Sequence, residues 1–440
     1  MLSLGLVLVL TSALAGDLSP EELIGRLGSP DRVVREEAAR TLEEYGAEAL
    51  PVLRAAHASA KGPEDRERLA DLIARIEARS LDRSTMVVFD VDDRPLGEAV
   101  LALATRSGFS LSLDDPTLAS RRITVRASGP VPFWEAVDRL GRAGHVRHDP
   151  GPRPDAIGDN PRASTIRLVA GEPPAPTAYS GPVRINLFAM HRHRDVNFEA
   201  SAGNDHVSRR SATVTVEIQA FAEPGRFIDP NGLPRLEAVD EHGRAISRQP
   251  AGGGELPNPS EQSWLIRPGR LSLLHWHIPL GLPDPPVRSP LKLRGVLPVV
   301  ISSRMPSPLV IPLADADGKT FRQGVSVVRI EKVSNRHPKT TEFNLFLSED
   351  ASPTDRTWAS AGREKDYIGD FLRNRIEFED ADGHPMSWLL MGDHPVATTN
   401  GELRALTWAS GIDPPAALRV YRLRRLATEI PFELSDVPSP

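Results

Sequence analysis

Hydrophobic positions change their period along the chain, and each period predicts a different kind of element. From Leu18 to Ser80 they recur at helical spacing: Val34, Ala38, Leu42 and Tyr45 fall on one stripe, and Leu69, Leu72, Ile73 and Ile76 on a later one. Ser29 as a cap, Pro30 in the first turn and Gly46 past the end delimit the first of these helices, and Leu50 and Leu53 carry the pattern onward. Between Ser84 and His148 short alternating runs, "TMVVFDV", "FSLSL" and "RRITVRA", interleave with two amphipathic stretches. One, "PLGEAVLALATRSG", turns Leu96, Val100 and Leu103 inward; the other, "VPFWEAVDRLGRAG", turns Phe133, Val137 and Leu140 inward. From Val183 onward a two-residue alternation dominates, as in Val183, Ile185, Leu187, Ala189 and in Val214, Val216, Ile218, Ala220. Phe343, Leu345 and Leu347 repeat it, and the region reads as at least nine strands broken by Pro and Gly.

These patterns predict a multidomain α+β chain. Residues 17–80 form a helical segment, 84–170 a small α+β module with strand–helix–strand–strand–helix–strand order, and 171–182 a Pro-rich linker. Two antiparallel β-sandwiches of immunoglobulin-like type are expected over 183–333 and 340–438, with the boundary near Val333–Lys339. The run Asp31, Val34, Arg35, Ala38, Leu42 resembles a HEAT-type helical repeat, a unit that needs stacked neighbours to bury its faces. The stretch "VDDRPLGEAVLALATRSGFSLSLDD", with "ITVRASGPVPFWEAVDRLGRAGHVRHD" after it, is similar to the short domain at the N-terminus of secretins and TonB-linked receptors. That resemblance implies a periplasmic docking module without catalytic residues, and no site is carried over from it. No membrane β-barrel pattern follows, since aromatic residues make up 5% of the chain and no paired aromatic girdles occur.

Composition narrows the setting. "MLSLGLVLVLTSALAGD" has an apolar stretch from Leu2 to Leu14 and a small-x-small pattern at Ala13–Ala15, which predicts an export signal over residues 1–15 despite the absence of Lys or Arg before it. No later run reaches transmembrane length. The chain has no cysteine, so disulfides and thiolate metal sites are excluded. Its 41 prolines in 440 residues exceed the typical ~5% and favour short strands and loops. A net charge of −6 gives no footprint for nucleic acid.

Candidate chemistry is sparse. Asp-Ala-Asp-Gly occurs at Asp315–Gly318 and at Asp380–Gly383, with Asp-Glu-His-Gly at Asp240–Gly243. Both copies fit a hairpin turn with Gly at positive φ; the spacing of a calcium loop and the glycine pattern of a phosphate loop are missing. They are therefore expected at exposed hairpin tips with no ion between the aspartates. His191 and His193, and His275 and His277, form two His-x-His pairs on strands, each pair pointing to one face. If the pairs met, they would be metal candidates; Asp195 is a nearby carboxylate. The alternative is that both are ordinary polar positions, with Trp276 and Met190 on the core side. Carboxylate pairs such as Glu377/Glu379 and Asp92/Asp93 read as solvated charge. Arg419, Arg422, Arg424 and Arg425 read as gatekeepers of an edge strand. Neither a G-x-S-x-G elbow nor H-E-x-x-H is present.

The expectation is thus a non-catalytic protein of the periplasm or cell surface, binding envelope proteins as a scaffold, with no cofactor. A carbohydrate or surface-ligand binder using Trp264, Trp276, Trp388 and Trp408 is the alternative, and a metal-dependent enzyme built on the histidine pairs the third reading.

Overall fold

A computed structural model describes residues 18–149, 165–199, 207–240, 244–248, 265–266, 273–281, 291–324, 326–337, 340–349, 374–397, 403–410 and 415–438. The expected signal, residues 1–15, lies outside this set. Among the described residues no helix is long and apolar enough to cross a membrane. The fold is mixed α+β and divides into two compact units, Met1–Leu81 and Asp82–Pro440.

Among its described residues the first unit holds four α-helices: α1 (Pro20–Leu27), α2 (Arg32–Tyr45), α3 (Leu50–Ser59) and α4 (Pro63–Arg79). α1 packs against α2, and α3 against α4. Ser19 and Glu22 close a reciprocal capping box on α1. The cap of α2 is Asp31 rather than Ser29: its Oδ1 accepts from the Val33 amide at 2.9 Å. Ala38, Leu42, Leu53, Leu72 and Ile76 are buried together with Tyr45 and Ile73 packed against them, so the helical stripes form the core except at Val34, which stays outside the cluster. Arg75 and Arg79 both reach Glu43, at 2.8 and 2.6 Å, tying α4 to α2.

The second unit opens with β1 (Met86–Val87), β2 (Val91–Pro95), α5 (Leu96–Ser107), β3 (Ser110–Leu113), β4 (Arg122–Val125), β5 (Val131–Pro132), α6 (Phe133–Gly144), β6 (Val146–His148) and β7 (Thr165–Ala170). β3 runs parallel to β7, and β6 antiparallel to it. Then come β8 (Thr177–Ser180), β9 (Val183–Glu199), β10 (Val207–Ala222), β11 (Arg226–Pro230), β12 (Arg235–Val239) and β13 (Ala245–Arg248). After β14 (Leu265–Ile266) follow β15 (Leu273–Gly281), β16 (Leu291–Arg304), β17 (Leu309–Pro312), β18 (Thr320–Gln323), β19 (Ser326–His337) and β20 (Thr340–Glu349). β21 (Ile376–Glu379), β22 (Pro385–Ala397), β23 (Leu403–Ser410), β24 (Ala417–Val420) and β25 (Leu423–Val437) complete the chain.

Three larger sheets result. One has the order β15-β10-β9-β8. A second places β16 between β25 on one side and β11 and β12 on the other, with β13 beyond β12. The third runs β17-β24-β21-β22-β23-β20-β19-β18, with β14 on β22. Two expected boundaries change. Residues 171–182 are no linker, because β8 lies within them and pairs with β9. The boundary expected at Val333–Lys339 falls inside the β19–β20 hairpin, where His337 faces Thr340. The final strand, β25, returns to β16 instead of completing the third sheet.

The α+β module and the first sheet share a core. Phe221 of β10 is buried with Trp134, Val137, Ile166 and Leu168 of the module, and Leu273 of β15 packs against the same cluster.

Candidate functional site

The first sheet organises the site. Its central strand is β10, flanked by β9 and β15, so the two histidine-bearing strands are not neighbours and a third strand separates them. Alternation sends Val214, Val216 and Ile218 of β10 into the core and Thr215, Glu217, Gln219 and Phe221 to the other face. On β15, His277 pairs with Glu217 and His275 with Gln219, while Trp276 between them is fully buried.

β9 reaches this face through an irregularity. Glu217 pairs with Ala189, but Ile218 pairs with Leu187, leaving Phe188 as an extra residue in a β-bulge. Before the bulge the even positions Arg184 and Asn186 share the face of Glu217; after it the odd positions do. His191, opposite Thr215, is thereby turned to the Glu217 side. Simple alternation from Val183 and Ile185 would have pointed it to the core.

Three imidazoles converge on one carboxylate. His275 Nε2 lies 3.0 Å from Glu217 Oε2, His191 Nε2 2.9 Å from Oε1, and His277 Nδ1 3.5 Å from Oε1. The His275 and His277 rings stack with centroids 4.7 Å apart, and the edge of Phe188 meets His275 at 5.1 Å. Glu217 is nearly covered, its side chain 12% exposed, whereas His191 and His277 are about half open to solvent, at 55% and 47%. Burial, and then the neighbouring His277, hold the His275 imidazole below its ordinary pKa, with Glu217 pulling the other way. The ligand atoms of Glu217, His275 and His277 lie within 4.8 Å of one another. Such a group can share protons or hold a cation. The backbone of His193 pairs with Thr213 further along the same strands, while its side chain, like that of Asp195, lies outside the described residues.

Glu217 was the residue that pattern reading passed over. The signal was present: in "VTVEIQAF" the apolar residues around Glu217 alternate, which fixes Glu217 on the polar face.

The other end of this same face is covered by the module. Arg184, opposite Phe221, forms an ion pair with Asp138 of α6 at 3.2 Å without the alignment of a hydrogen bond. The Tyr179 hydroxyl donates to Asp138 at 2.8 Å, and Arg184 Nε donates to Asn186 at 3.1 Å. The guanidinium lies over the rings of Trp134 and Phe221, at 5.2 and 5.4 Å. Burial raises the Asp138 carboxyl and the Tyr179 phenol and lowers the Arg184 guanidinium. His148, tilted against Trp134 and edge-on to Phe221, is pushed down to about 3 by burial and then by the Arg184 charge, so it is neutral. Two residues after Phe221, Glu223 accepts from the Thr85 amide and hydroxyl at 2.9 and 2.8 Å.

The remaining candidates are structural. Asp380–Gly383 is a hairpin tip between paired β21 and β22: Asp380 Oδ1 accepts from the Asp382 and His384 amides at 3.0 and 2.8 Å, and Gly383 takes φ 79°. Asp240 caps the β12–β13 turn in the same way, accepting from the Arg244 amide at 2.9 Å. Asp315–Gly318 departs from the expectation. It joins β17 and β18, which lie at opposite ends of the third sheet, and it buries Ala316 in the core. The cluster of Asp380, Asp382 and His384 is accounted for by the turn it closes.

Glu377 and Glu379 correct the solvated-charge reading. Both are buried, Glu377 against Arg304 at 2.9 Å and Glu379 against Arg419 at 2.5 Å. Asp92 and Asp93 are exposed and paired with Arg126 and Arg122, each at 2.7 Å. Arg419 thus has a specific partner on β21 rather than guarding an edge. Trp276 and Trp388 are buried, which removes them as stacking platforms; Trp264 and the Trp408 side chain lie outside the described residues. Comparison with family models, with curated proteins and with solved structures finds no match to this chain.

Proposed function

We propose that this chain is a non-catalytic exported protein that binds other proteins of the cell envelope as a scaffold. The N-terminal apolar stretch supports export. The HEAT-like helical stripe, the similarity of residues 84–170 to the secretin and TonB-linked short domain, and immunoglobulin-like sandwiches built from the larger sheets all belong to docking architectures. The observation that carries the reading is the way the α+β module is held. Its core is continuous with the first sheet through Phe221, and Arg184–Asp138 and Glu223–Thr85 pin it from inside. A module fixed so rigidly presents its outer surface in one orientation. That surface carries exposed Leu101 on α5, and exposed Met86 and Val88 on and beside β1, the strand that packs beside α5. Exposed apolar side chains on a rigid support suit a protein partner.

The test is site-specific photocrosslinking in the producing bacterium, with the reactive residue at Leu101 or Val88 of the full chain. A discrete protein adduct in the envelope fraction, lost on Leu101→Asp, is the expected result. Retention of the chain in the cytoplasm, or no adduct from either position, overturns the reading.

A further inference from the structure

The uncovered end of the first sheet offers a site that the scaffold reading does not use. We propose that Glu217, His275 and His277 bind one divalent transition-metal ion of the zinc class on the open face of β9, β10 and β15, with His191 beside the carboxylate.

The geometry is close to what such an ion requires. Nitrogen and oxygen ligands at ~2.0–2.2 Å in a tetrahedron stand about 3.3–3.5 Å apart. The ligand atoms of Glu217, His275 and His277 all lie within 4.8 Å of one another, with carboxylate oxygens 3.0 and 3.5 Å from the two imidazoles, so small side-chain rotations bring the three onto one ion. Ligand chemistry sets the class: imidazole suits zinc, copper and nickel, whereas calcium and magnesium demand a shell of oxygens that one carboxylate cannot supply.

Charge points the same way. One carboxylate can balance a single imidazolium, yet three imidazoles face it. A dication replaces the single His275 hydrogen bond and the looser His277 contact with stronger bonds to neutral rings and leaves the carboxylate coordinated.

The backbone is arranged around the cluster as well. Glu217 comes from the middle strand and is nearly covered, so it is held by its neighbours. The bulge at Phe188 is what brings His191 to this face, and the Phe188 ring braces His275 from the side. His191 and His277 face solvent, which leaves room on the outer side of the ion for a water. The His275-x-His277 pair is local, but Glu217 lies on β10, 58 residues before His275, hence no single motif holds the whole set.

The experiment uses the full chain without a histidine tag, stripped with EDTA and titrated with cobalt(II) as a spectroscopic stand-in for zinc. One equivalent is expected to produce d–d absorption characteristic of a nitrogen and oxygen site, and zinc to bleach it. Glu217→Gln, nearly isosteric, and His275→Ala/His277→Ala are expected to weaken binding at least tenfold, with His384→Ala equal to wild type. Far-UV circular dichroism establishes that each variant is folded, and the single change Glu217→Gln serves if the double variant is not. The absence of a saturable one-equivalent site for both cobalt and zinc overturns the proposal. So does binding that survives Glu217→Gln or that is lost with His384→Ala.

Discussion

One face of the β15-β10-β9-β8 sheet carries two clusters of ionisable side chains, and only one of them is covered. Phe221 and Glu217 are four residues apart on β10, about 13 Å at the rise of a strand. At the Phe221 end α6 lies over the sheet, and Arg184, Asp138, Asn186 and His148 are all nearly inaccessible. At the Glu217 end His191 and His277 stay about half open to solvent. Both ends contain a carboxylate facing cationic or potentially cationic groups. Covering decides what each does. Under the module the charges are committed to holding two substructures together, because an ion left unpaired there has no water to turn to. In the open they remain exchangeable and can meet a ligand.

Four measurements bear on this contrast. The largest effect is expected at the covered end. Arg184→Ala leaves Asp138 buried without its counter-ion and lowers stability by roughly 3–5 kcal/mol in denaturant titration. Replacing both partners, Asp138→Leu with Arg184→Met, should recover most of that loss. A double variant as unstable as the single one would show that packing, rather than the stranded charge, is at stake.

The next effect is a dependence on pH. His148 is neutral when folded, with a pKa pushed down to about 3, while in the unfolded chain it takes up a proton near 6.5. Its neutral burial therefore favours the fold fully above pH 6.5, and the advantage is lost as pH falls from 6.5 towards 3. The slope due to this residue approaches ~1.4 kcal/mol per pH unit. Urea midpoints of wild type and His148→Phe, compared across that window, should diverge towards acid, with the variant losing less. Parallel curves would contradict the buried neutral imidazole.

At the open end the prediction reverses. Glu217→Ala should change stability by less than about 1 kcal/mol, since its partners keep access to water, while binding of cobalt is lost. A loss of several kcal/mol would make the two ends alike. The smallest effect belongs to His384→Ala in the β21–β22 turn, expected within ~0.5 kcal/mol of wild type. There the Asp380 carboxyl takes the His384 backbone amide, which the substitution leaves in place.

Local patterns were legible from the residues themselves. The helical stripes of α2 and α4, the inward faces of α5 and α6, and the alternation in β10 and β20 follow from period alone, and Ala38, Leu72, Leu103, Val137, Val216 and Leu345 are buried as that period requires. The Asp380–Gly383 turn was legible too, since its hydrogen bonds close within five residues. The identical tetrapeptide at Asp315–Gly318 was not: nothing in four residues tells a hairpin from a crossing between the two ends of a sheet, and Ala316 is buried where Ala381 is exposed. Glu377 and Glu379 misled for a similar reason, because their partners Arg304 and Arg419 lie 73 and 40 residues away.

By itself, then, the sequence determined the class of each segment, the faces of most helices and strands, and two His-x-His pairs on one strand face each. Tertiary structure decided which strands are neighbours. It placed β10 between β9 and β15, returned β25 to β16, drew residues 171–182 into a sheet and set Glu217 among three imidazoles. The physical reason is one of range. Periodicity is fixed by backbone geometry over two to four residues. Strand order depends instead on loop closure and on which hydrophobic faces can be buried together. Within β9 a single extra residue, Phe188, was enough to reverse the side to which His191 points.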